Sequence, residues 1–177
     1  MKTLSLLNLR THLTTAAFEI SPDFLALLST NYFSDLNFED ENIDAKIYPT
    51  FVSTQSLDIS GTKIDVSKCI DTGVFISLNK NTGLVTGYID EDYLYSIATT
   101  NIIFTGNNIA ITSDDGEILT IPSSNPNSYI FDNSLHDYEI DLSLPELTIE
   151  AANTVLNDFL SNTEVCNKFK AIMNQLN

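Results

Sequence analysis

The residues of this chain best placed to do chemistry are three carboxylates on one predicted strand, Asp137, Glu139 and Asp141. They alternate with apolar residues, so the pattern places all three on the same face of the strand. Alternate residues of a strand lie about 6.8 Å apart, too far for two of them to bind one metal ion directly or to share a proton. A metal would need further ligands from another strand or loop. A solvated strand face, or an edge charged against sheet-to-sheet pairing, explains the row more simply.

A second acidic group lies in residues 34–46, a polar stretch predicted to be loop. Oxygen-rich loops of this kind suit calcium, but the EF-hand spacing, with Gly at position six and Glu at position twelve, is absent. We therefore predict no metal site and no cofactor. The acidic residues of this stretch are Asp35, Glu39, Asp40, Glu41 and Asp44.

The histidine and cysteine residues give little further indication of catalysis or metal binding. His12 and His136 are the two residues that titrate near neutral pH by default, and His136 has an aspartate beside it. No Gly-x-Ser-x-Gly motif supplies a nucleophile for it to activate. Cys69 and Cys166 cannot form a zinc cluster alone, and we predict two free, partly buried thiols. The sequence therefore predicts no catalytic residues and no enzyme.

Charge excludes several classes of function. The chain has 24 acidic and 8 basic residues, a formal net charge of -16, and Arg10 is its single arginine. Nucleic acid and anionic membranes attract positive surfaces, so we expect neither as a partner. The glycines form no phosphate-binding motif, which argues against kinases, NTPases and Rossmann enzymes. No apolar run approaches the roughly 20 residues that span a bilayer, and a signal peptide is not expected.

The elements that would position these residues are mostly strands. Alternating apolar residues on either side of turn residues predict one hairpin at 57–66 and a second at 74–89. Short apolar runs at 102–104, 109–111 and 118–121 predict a three-strand meander. Turn signals recur about every ten residues, which is typical of an antiparallel sandwich or barrel. The strand carrying the carboxylate row follows a loop rich in Pro, Ser and Asn.

Two helices are predicted at the C-terminus. Thr148 is a good N-cap for the first, which ends near Ser161 or Asn162, and Thr163 can cap the second. Each helix carries an apolar stripe at helical spacing. The stripe either packs in the core or, if the hairpin projects, forms a docking surface. Its main members are Phe159, Leu160, Phe169, Ile172, Met173 and Leu176.

The N-terminal region is ambiguous. Residues 4–20 fit a helix, although their first residues also fit a strand, and we favour the helix. The run Ser21-Pro22-Asp23 is a good helix start. The predicted fold is therefore a single α+β domain over residues 1–177, with an antiparallel β core (meander- or sandwich-like, about residues 43–144), an N-terminal helical segment and a C-terminal helical hairpin.

These features favour a non-enzymatic structural or interaction subunit of a larger protein assembly, in a virion or the cytoplasm. The Asn-, Thr-, Ser- and Ile-rich, arginine-poor composition is similar to that of accessory capsid, tail or baseplate proteins of bacterial viruses. The alternative is an acidic inhibitor, immunity or anti-defence protein that occupies a basic cleft of its partner. A glycosidase-like enzyme with two carboxylates is the third hypothesis. The predicted partner-binding residues are Asp137, Glu139, Asp141, Phe169, Ile172 and Met173.

Overall fold

The computed structural model describes residues 2–5, 17–59, 61–94, 97–112, 115–116, 118–121, 138–141 and 146–177. The helical elements are α1 (Pro22–Leu27), a 3-10 turn (Thr30–Tyr32), α2 (Ile149–Leu160) and α3 (Thr163–Leu176). The strands are β1 (Lys2–Ser5), β2 (Glu19–Ile20), β3 (Ser34–Asn37), β4 (Asn42–Ile47), β5 (Thr50–Ile59), β6 (Thr62–Asp71), β7 (Val74–Asn79), β8 (Val85–Ile89), β9 (Ile97–Gly106), β10 (Ile109–Thr112), β11 (Ile118–Ile121) and β12 (Tyr138–Asp141).

The strands form two antiparallel sheets of four strands and two smaller pairs. The order in one large sheet is β2-β5-β6-β9, and in the other it is β3-β4-β7-β8. Strands β10 and β11 pair antiparallel, whereas β1 and β12 pair in parallel. This architecture, with its two C-terminal helices, confirms the predicted α+β fold with an antiparallel β core and a helical hairpin.

The chain divides into two compact units, each built from separate stretches of sequence. The first unit comprises Met1–Ala17, Ser53–Lys68 and Thr99–Glu146. The second comprises Phe18–Val52, Cys69–Ala98 and Leu147–Asn177. The expectation of one domain over residues 1–177 stays a prediction.

In the second unit, strand alternation directs one face of the β3-β4-β7-β8 sheet into a hydrophobic core. Along β4, Ile43, Ala45 and Ile47 are buried while the residues between them are partly exposed, and β7 alternates in the same way. Helices α2 and α3 contribute their apolar stripes to this core. Gly87 on β8 allows the close approach of α2, because a Cβ there would lie 3.0 Å from Leu160 Cδ1.

Each helix of the C-terminal hairpin begins at a residue whose side chain caps its first turn. The Ala151 N–H donates to Thr148 Oγ1 over 3.1 Å, so Thr148 caps α2 as predicted. Helix α3 is capped by Asn162 and not by Thr163, because the Asn162 side chain accepts from the Glu164 N–H at 2.9 Å. An Asn side chain reaches the free N–H groups of the first turn as well as a Thr does.

The apolar stripe of α3 lies in the core. Phe169 and Met173 are fully buried and Ile172 is 6% exposed. The Phe169 ring makes edge contacts with Phe33 and Phe159, at centroid distances of 6.0 and 6.5 Å. The predicted partner contact of Phe169, Ile172 and Met173 is therefore corrected: side chains buried within their own chain have no surface to offer, and their role is packing.

Four local predictions need correction. Residues 34–46, expected to be loop, contain β3 and β4, because the alternation of Ile43, Ala45 and Ile47 outweighs the acidic residues between them. The helix expected over residues 4–20 is wrong at its two ends, because Leu4 and Ser5 belong to β1 and Glu19–Ile20 form β2, whereas residues 6–16 lie outside the described residues. The short helix opened by Ser21 is confirmed as α1.

The remaining two corrections concern strand pairing. The predicted three-strand meander is divided, because β10 pairs with β11 while β9 belongs to the sheet of β6. The strand of the carboxylate row joins a parallel pair and lies outside the two large antiparallel sheets. Both hairpins predicted at 57–66 and 74–89 are present as β5-β6 and β7-β8, and the first is longer than predicted at each end.

In the first unit, β6 has its own alternation, in which Thr62, Ile64 and Val66 are buried. The turn between β5 and β6 is held by polar contacts with Asn107, which follows β9. The Thr62 hydroxyl donates to the Asn107 carbonyl at 2.5 Å, and the Asn107 N–H donates to the Gly61 carbonyl at 3.3 Å. Gly61 has a φ of 85°, a left-handed conformation that favours glycine.

Truncation of Phe169 tests the packing of the hairpin. We expect Phe169→Ala to lower the free energy of unfolding by about 3–5 kcal/mol, because it removes a fully buried ring and leaves a cavity among aromatic neighbours. Urea denaturation followed by circular dichroism measures this loss. Lys168→Ala, on the exposed side of the same helix, is the matched control and should change stability by less than about 0.5 kcal/mol. Equal stabilities of the two variants would contradict the core assignment.

Candidate functional site

The predicted carboxylate row is only partly within the described residues. Asp137 lies outside them, as do His12 and His136. Glu139 and Asp141 lie on β12, in register with Thr3 and Ser5 of β1. Their side chains are outside what the structure describes, so the proposed contact role of the row stays a prediction.

The acidic group of residues 34–46 is distributed over two strands and a turn. Asp35 lies at the bulge of β3 with a φ of 51°, and Glu39, Asp40 and Glu41 are exposed between β3 and β4. Asp44 lies within β4. Among the described residues, no three His, Cys, Asp or Glu side chains are close enough together to hold a metal ion. These carboxylates are therefore spread along β3, β4 and the turn between them.

A different site is apparent on the second unit, on the face of the β3-β4-β7-β8 sheet that points away from its core. We call this the outer face. Lys46, Phe75 and Tyr88 form one row across it, because Phe75 pairs with Lys46 on one side and with Tyr88 on the other. The outer face is formed by Asn42, Asp44, Lys46, Phe75, Ser77, Thr86 and Tyr88.

Lys46 lies at one end of the row and is held in place by an ion pair. Its Nζ lies 2.8 Å from Asp90 Oδ2, and the two side chains are only 14% and 18% exposed. The same Nζ lies 4.8 Å from the centroid of the Phe75 ring, 5.6 Å from that of Tyr48 and 5.8 Å from that of Tyr93. Three aromatic rings and a carboxylate therefore surround one ammonium group, an arrangement stabilised by cation–π attraction.

The rings also support one another. Phe75 and Tyr88 are stacked, with centroids 5.1 Å apart and planes 26° from parallel. Tyr48 and Tyr93 meet at 5.2 Å. Tyr88 is nevertheless 60% exposed and Tyr48 is 40% exposed. The rings of the outer face are thus held in place by contacts with one another and with Lys46, and they remain partly exposed to solvent.

The electrostatics of the ion pair oppose acid–base chemistry. The hydrogen bond to Asp90 raises the pKa of Lys46, and the hydrogen bond from Lys46 lowers the pKa of Asp90. A catalytic lysine or aspartate needs the opposite shift, toward neutral pH, to exchange protons. Both groups therefore stay charged around pH 7, and the pair is suited to holding the rings in position.

Two other side chains, Cys69 and Asp65, also have shifts that favour their usual protonation states at neutral pH. Burial, with a smaller effect from Asp71, raises the pKa of the Cys69 thiol, which makes it less reactive. The hydrogen bond from Ser56, with a smaller effect from Lys63, lowers the pKa of Asp65. Cys69 and Cys166 are both free thiols, as predicted.

Comparison with known proteins gives the chain no relatives: no protein-family model, curated protein or solved structure matches it. In the described part of the chain, no helix is long and apolar enough to cross a membrane. What the site can do must therefore be inferred from its geometry alone.

The outer face is not recognisable in the sequence when the polar composition of residues 34–46 is taken to predict a loop. The signal was present, since Ile43, Ala45 and Ile47 alternate with residues that must then face outward, Lys46 among them. The register that places Lys46, Phe75 and Tyr88 side by side depends on pairing between strands. Single-strand periodicity does not specify that pairing.

The pH dependence of stability tests the ion pair. The pKa of Asp90 is lowered on folding, so its carboxylate stabilises the fold above the unfolded value of about 3.9, and this contribution is lost as the pH falls through the folded value. The pKa of Lys46 is raised, so its contribution is full below about 10.4 and lost as the pH rises through the folded value. The difference in unfolding free energy between the wild type and Asp90→Asn should therefore be constant from about pH 5 to 10 and shrink outside that range.

Urea denaturation at pH 3, 7 and 9 measures this difference. Asp92→Asn is the matched control, because Asp92 is exposed two residues away and forms no ion pair with any of the described residues. A difference for Asp90→Asn that is the same at pH 3 and pH 7 would show that the pair does not stabilise the fold.

Proposed function

We propose that this chain is a non-catalytic interaction subunit of a larger protein assembly and that the outer face is its contact surface. The observation that supports this most is the exposed ring of Tyr88, which is stacked on Phe75 within the row. Tyrosine is enriched at protein interfaces because it buries a large area at a small cost in side-chain entropy. Tyr88 and Tyr48 are exposed while their supporting partners Phe75 and Lys46 are held in place. Little ordering is then needed on binding.

The charges around the outer face suggest the chemistry of the partner. Acidic turns lie at both ends of the sheet, with Glu39, Asp40 and Glu41 before β4 and Glu91 and Asp92 after β8, and all five are exposed. Strands β4 and β8 run in the same direction, since each pairs antiparallel with β7, so the two turns lie at opposite ends of the face. A protein surface with an apolar centre and basic residues around it would be complementary.

The wider setting is supported by composition alone. An Asn-, Thr- and Ser-rich, arginine-poor chain resembles accessory proteins of bacteriophage capsids, tails or baseplates, and a virus particle is the setting that we propose for the assembly. The proposal includes no cofactor and no catalysis. The opposed pKa shifts of Lys46 and Asp90 are consistent with it.

Site-specific photocrosslinking tests the contact surface. A benzoylphenylalanine in place of Tyr88 should crosslink to a discrete partner, either a second copy or a protein in a lysate of the native source. The same group in place of Leu27, which is equally exposed at 61% on α1, is the matched control and should not. Tyr88→Ser should then weaken binding of the identified partner about tenfold or more, measured by calorimetry, because a central aromatic contact is worth about 2 kcal/mol. Equal crosslinking at both positions, or none at position 88, would refute the assignment.

The second candidate is the acidic inhibitor, favoured by the exposed carboxylates of residues 39–41. In that case affinity would depend on charge and not on the aromatic row. Neutralising the turn (Glu39→Gln, Asp40→Asn and Glu41→Gln together) would abolish binding, whereas Tyr88→Ser would have little effect. We expect the opposite result: Tyr88→Ser should reduce affinity for the partner more than neutralising the turn does, and affinity should depend only modestly on salt concentration.

A further inference from the structure

The two edges of the β3-β4-β7-β8 sheet differ in how they are protected. At the β3 edge the register shifts between Ser34 and Asn37, and Asp35 adopts a φ of 51° with an exposed carboxylate. A bulge and a charge of this kind block the addition of another strand. Strand β8 has neither, because Val85–Ile89 contains no charge and no proline and includes a regular five-residue register with β7.

The hydrogen bonds at the two ends of the β7-β8 hairpin fix which backbone groups face this open edge. At one end the Asn79 N–H donates to the Leu84 carbonyl over 2.9 Å, and at the other the Asp90 N–H donates to the Gly73 carbonyl over 2.8 Å. In an antiparallel pair, hydrogen-bonded and non-hydrogen-bonded residues alternate. The hydrogen bonds at the two ends require the same alternation of hydrogen-bonded and non-hydrogen-bonded residues along β8, and this alternation is the phase of the strand.

That phase turns the N–H and C=O groups of Val85, Gly87 and Ile89 away from β7. Ile89 agrees with it, because its N–H donates to Asn153 Oδ1 of helix α2 over 3.3 Å. The Asn153 side chain thus covers the edge at the Ile89 end. Among the residues that the structure describes, the outward backbone groups of Val85 and Gly87 have no hydrogen-bond partner, which is enough to pair with a short added strand.

A cleft of about 770 Å³ runs beside this part of the edge. The strand side is formed by Val85, Thr86 and the preceding turn, and the helical side by Leu160, Cys166 and Lys170. Leu84, at its mouth, is 61% exposed. The space is large enough for an apolar side chain between the strand and the helices.

The cleft is unusual in its charge. The chain has 24 acidic residues and 8 basic ones, yet the described residues lining the cleft include Lys170 and no Asp or Glu. Within the described ranges, Lys170 has no ion-pair partner. A Cβ placed on Gly83 would lie 3.2 Å from its Nζ, so the ammonium group lies over the turn where β8 begins.

We propose that the β8 edge and this cleft bind the extended C-terminal segment of a partner protein. The segment adds antiparallel to β8 and pairs with the outward backbone groups of Val85 and Gly87. An antiparallel strand ends at the turn where β8 begins, which brings its terminal carboxylate to Lys170. One apolar side chain enters the cleft beside Leu160 and Cys166. Residues Thr163–Leu176 belong to helix α3 and do not supply this extended segment, so the proposal commits to a segment of another protein.

The test uses a library of random octapeptides displayed with free C-termini and selected on the full chain. The enriched peptide is then synthesised as the free acid and as the C-terminal amide, and binding is measured by fluorescence anisotropy. We expect the amide to bind about five- to tenfold more weakly than the acid. In Lys170→Gln the acid should bind as weakly as the amide, with no further loss on amidation. Lys168→Gln, two residues away on the same helix, is the matched control and should retain the difference.

Protection of Cys166 locates the peptide. In the Cys69→Ser variant, bound peptide should slow modification of Cys166 by a thiol reagent at least fivefold, whereas in Cys166→Ser it should leave the modification of Cys69 unchanged. Val85→Pro removes one outward N–H and should abolish binding if the variant keeps the wild-type circular dichroism spectrum.

Three results would overturn the proposal: no enriched peptide that protects Cys166, equal binding of acid and amide to the wild type, or dependence on an internal acidic residue in place of the terminal carboxylate. The proposal does not rest on the outer face. Tyr48→Ser, which removes an exposed ring outside β8, should leave peptide affinity unchanged, so failure of either site is recognised separately.

Discussion

Burial of one face of the β3-β4-β7-β8 sheet is the constraint on which the second unit depends. Because successive side chains of a strand point to opposite faces, burying Ile43, Ala45 and Ile47 necessarily places Lys46 on the other side. The core that imposes this order is completed by the stripes of α2 and α3, which pack closely where β8 has a glycine. Burial of the inner face therefore determines which residues lie on the outer face.

Charge acts in two ways in this unit. Most carboxylates of this unit are exposed, on turns, helices and strands, where they are solvated and give the surface its negative potential. Asp90 is different, because it is nearly covered and paired with Lys46. The pair and the surrounding rings are mutually supporting, since each ring that shields the ammonium group from water also strengthens its interaction with the carboxylate. A chain with few cations thus uses one of them to order its most exposed aromatic surface.

The sequence predicts what depends on local periodicity and capping. The β7-β8 hairpin, the helical hairpin and the cap at Thr148 were all recognisable, because alternation, helical spacing and N-cap chemistry are properties of neighbouring residues. The predictions that were wrong concern strands that form by pairing with residues distant in the sequence. Strand β4 is recognised only when its buried face is given more weight than its charges, and β1 becomes a strand by pairing with β12, which lies far along the chain.

The candidate sites show the same limit. The row of Lys46, Phe75 and Tyr88 combines residues from three strands, and no spacing within one segment indicates that they meet. The carboxylate row and the apolar stripe could be proposed as contact sites from the sequence, because the residues of the row lie on a single strand and those of the stripe have helical spacing. The stripe proved to be core, which is the usual fate of a helical face that is apolar over several turns.

The unequal edges of the sheet follow from the same balance of packing and charge. An open strand edge invites pairing with a second copy, and β3 avoids this with a bulge and a carboxylate. Strand β8 has no such device, but two features restrict what can pair with it. Asn153 closes one end, and the net charge of -16 makes two copies repel each other at close range. A short segment that carries its negative charge at its terminus meets Lys170 instead of the acidic turns, so the edge can stay open to such a segment while self-pairing is opposed.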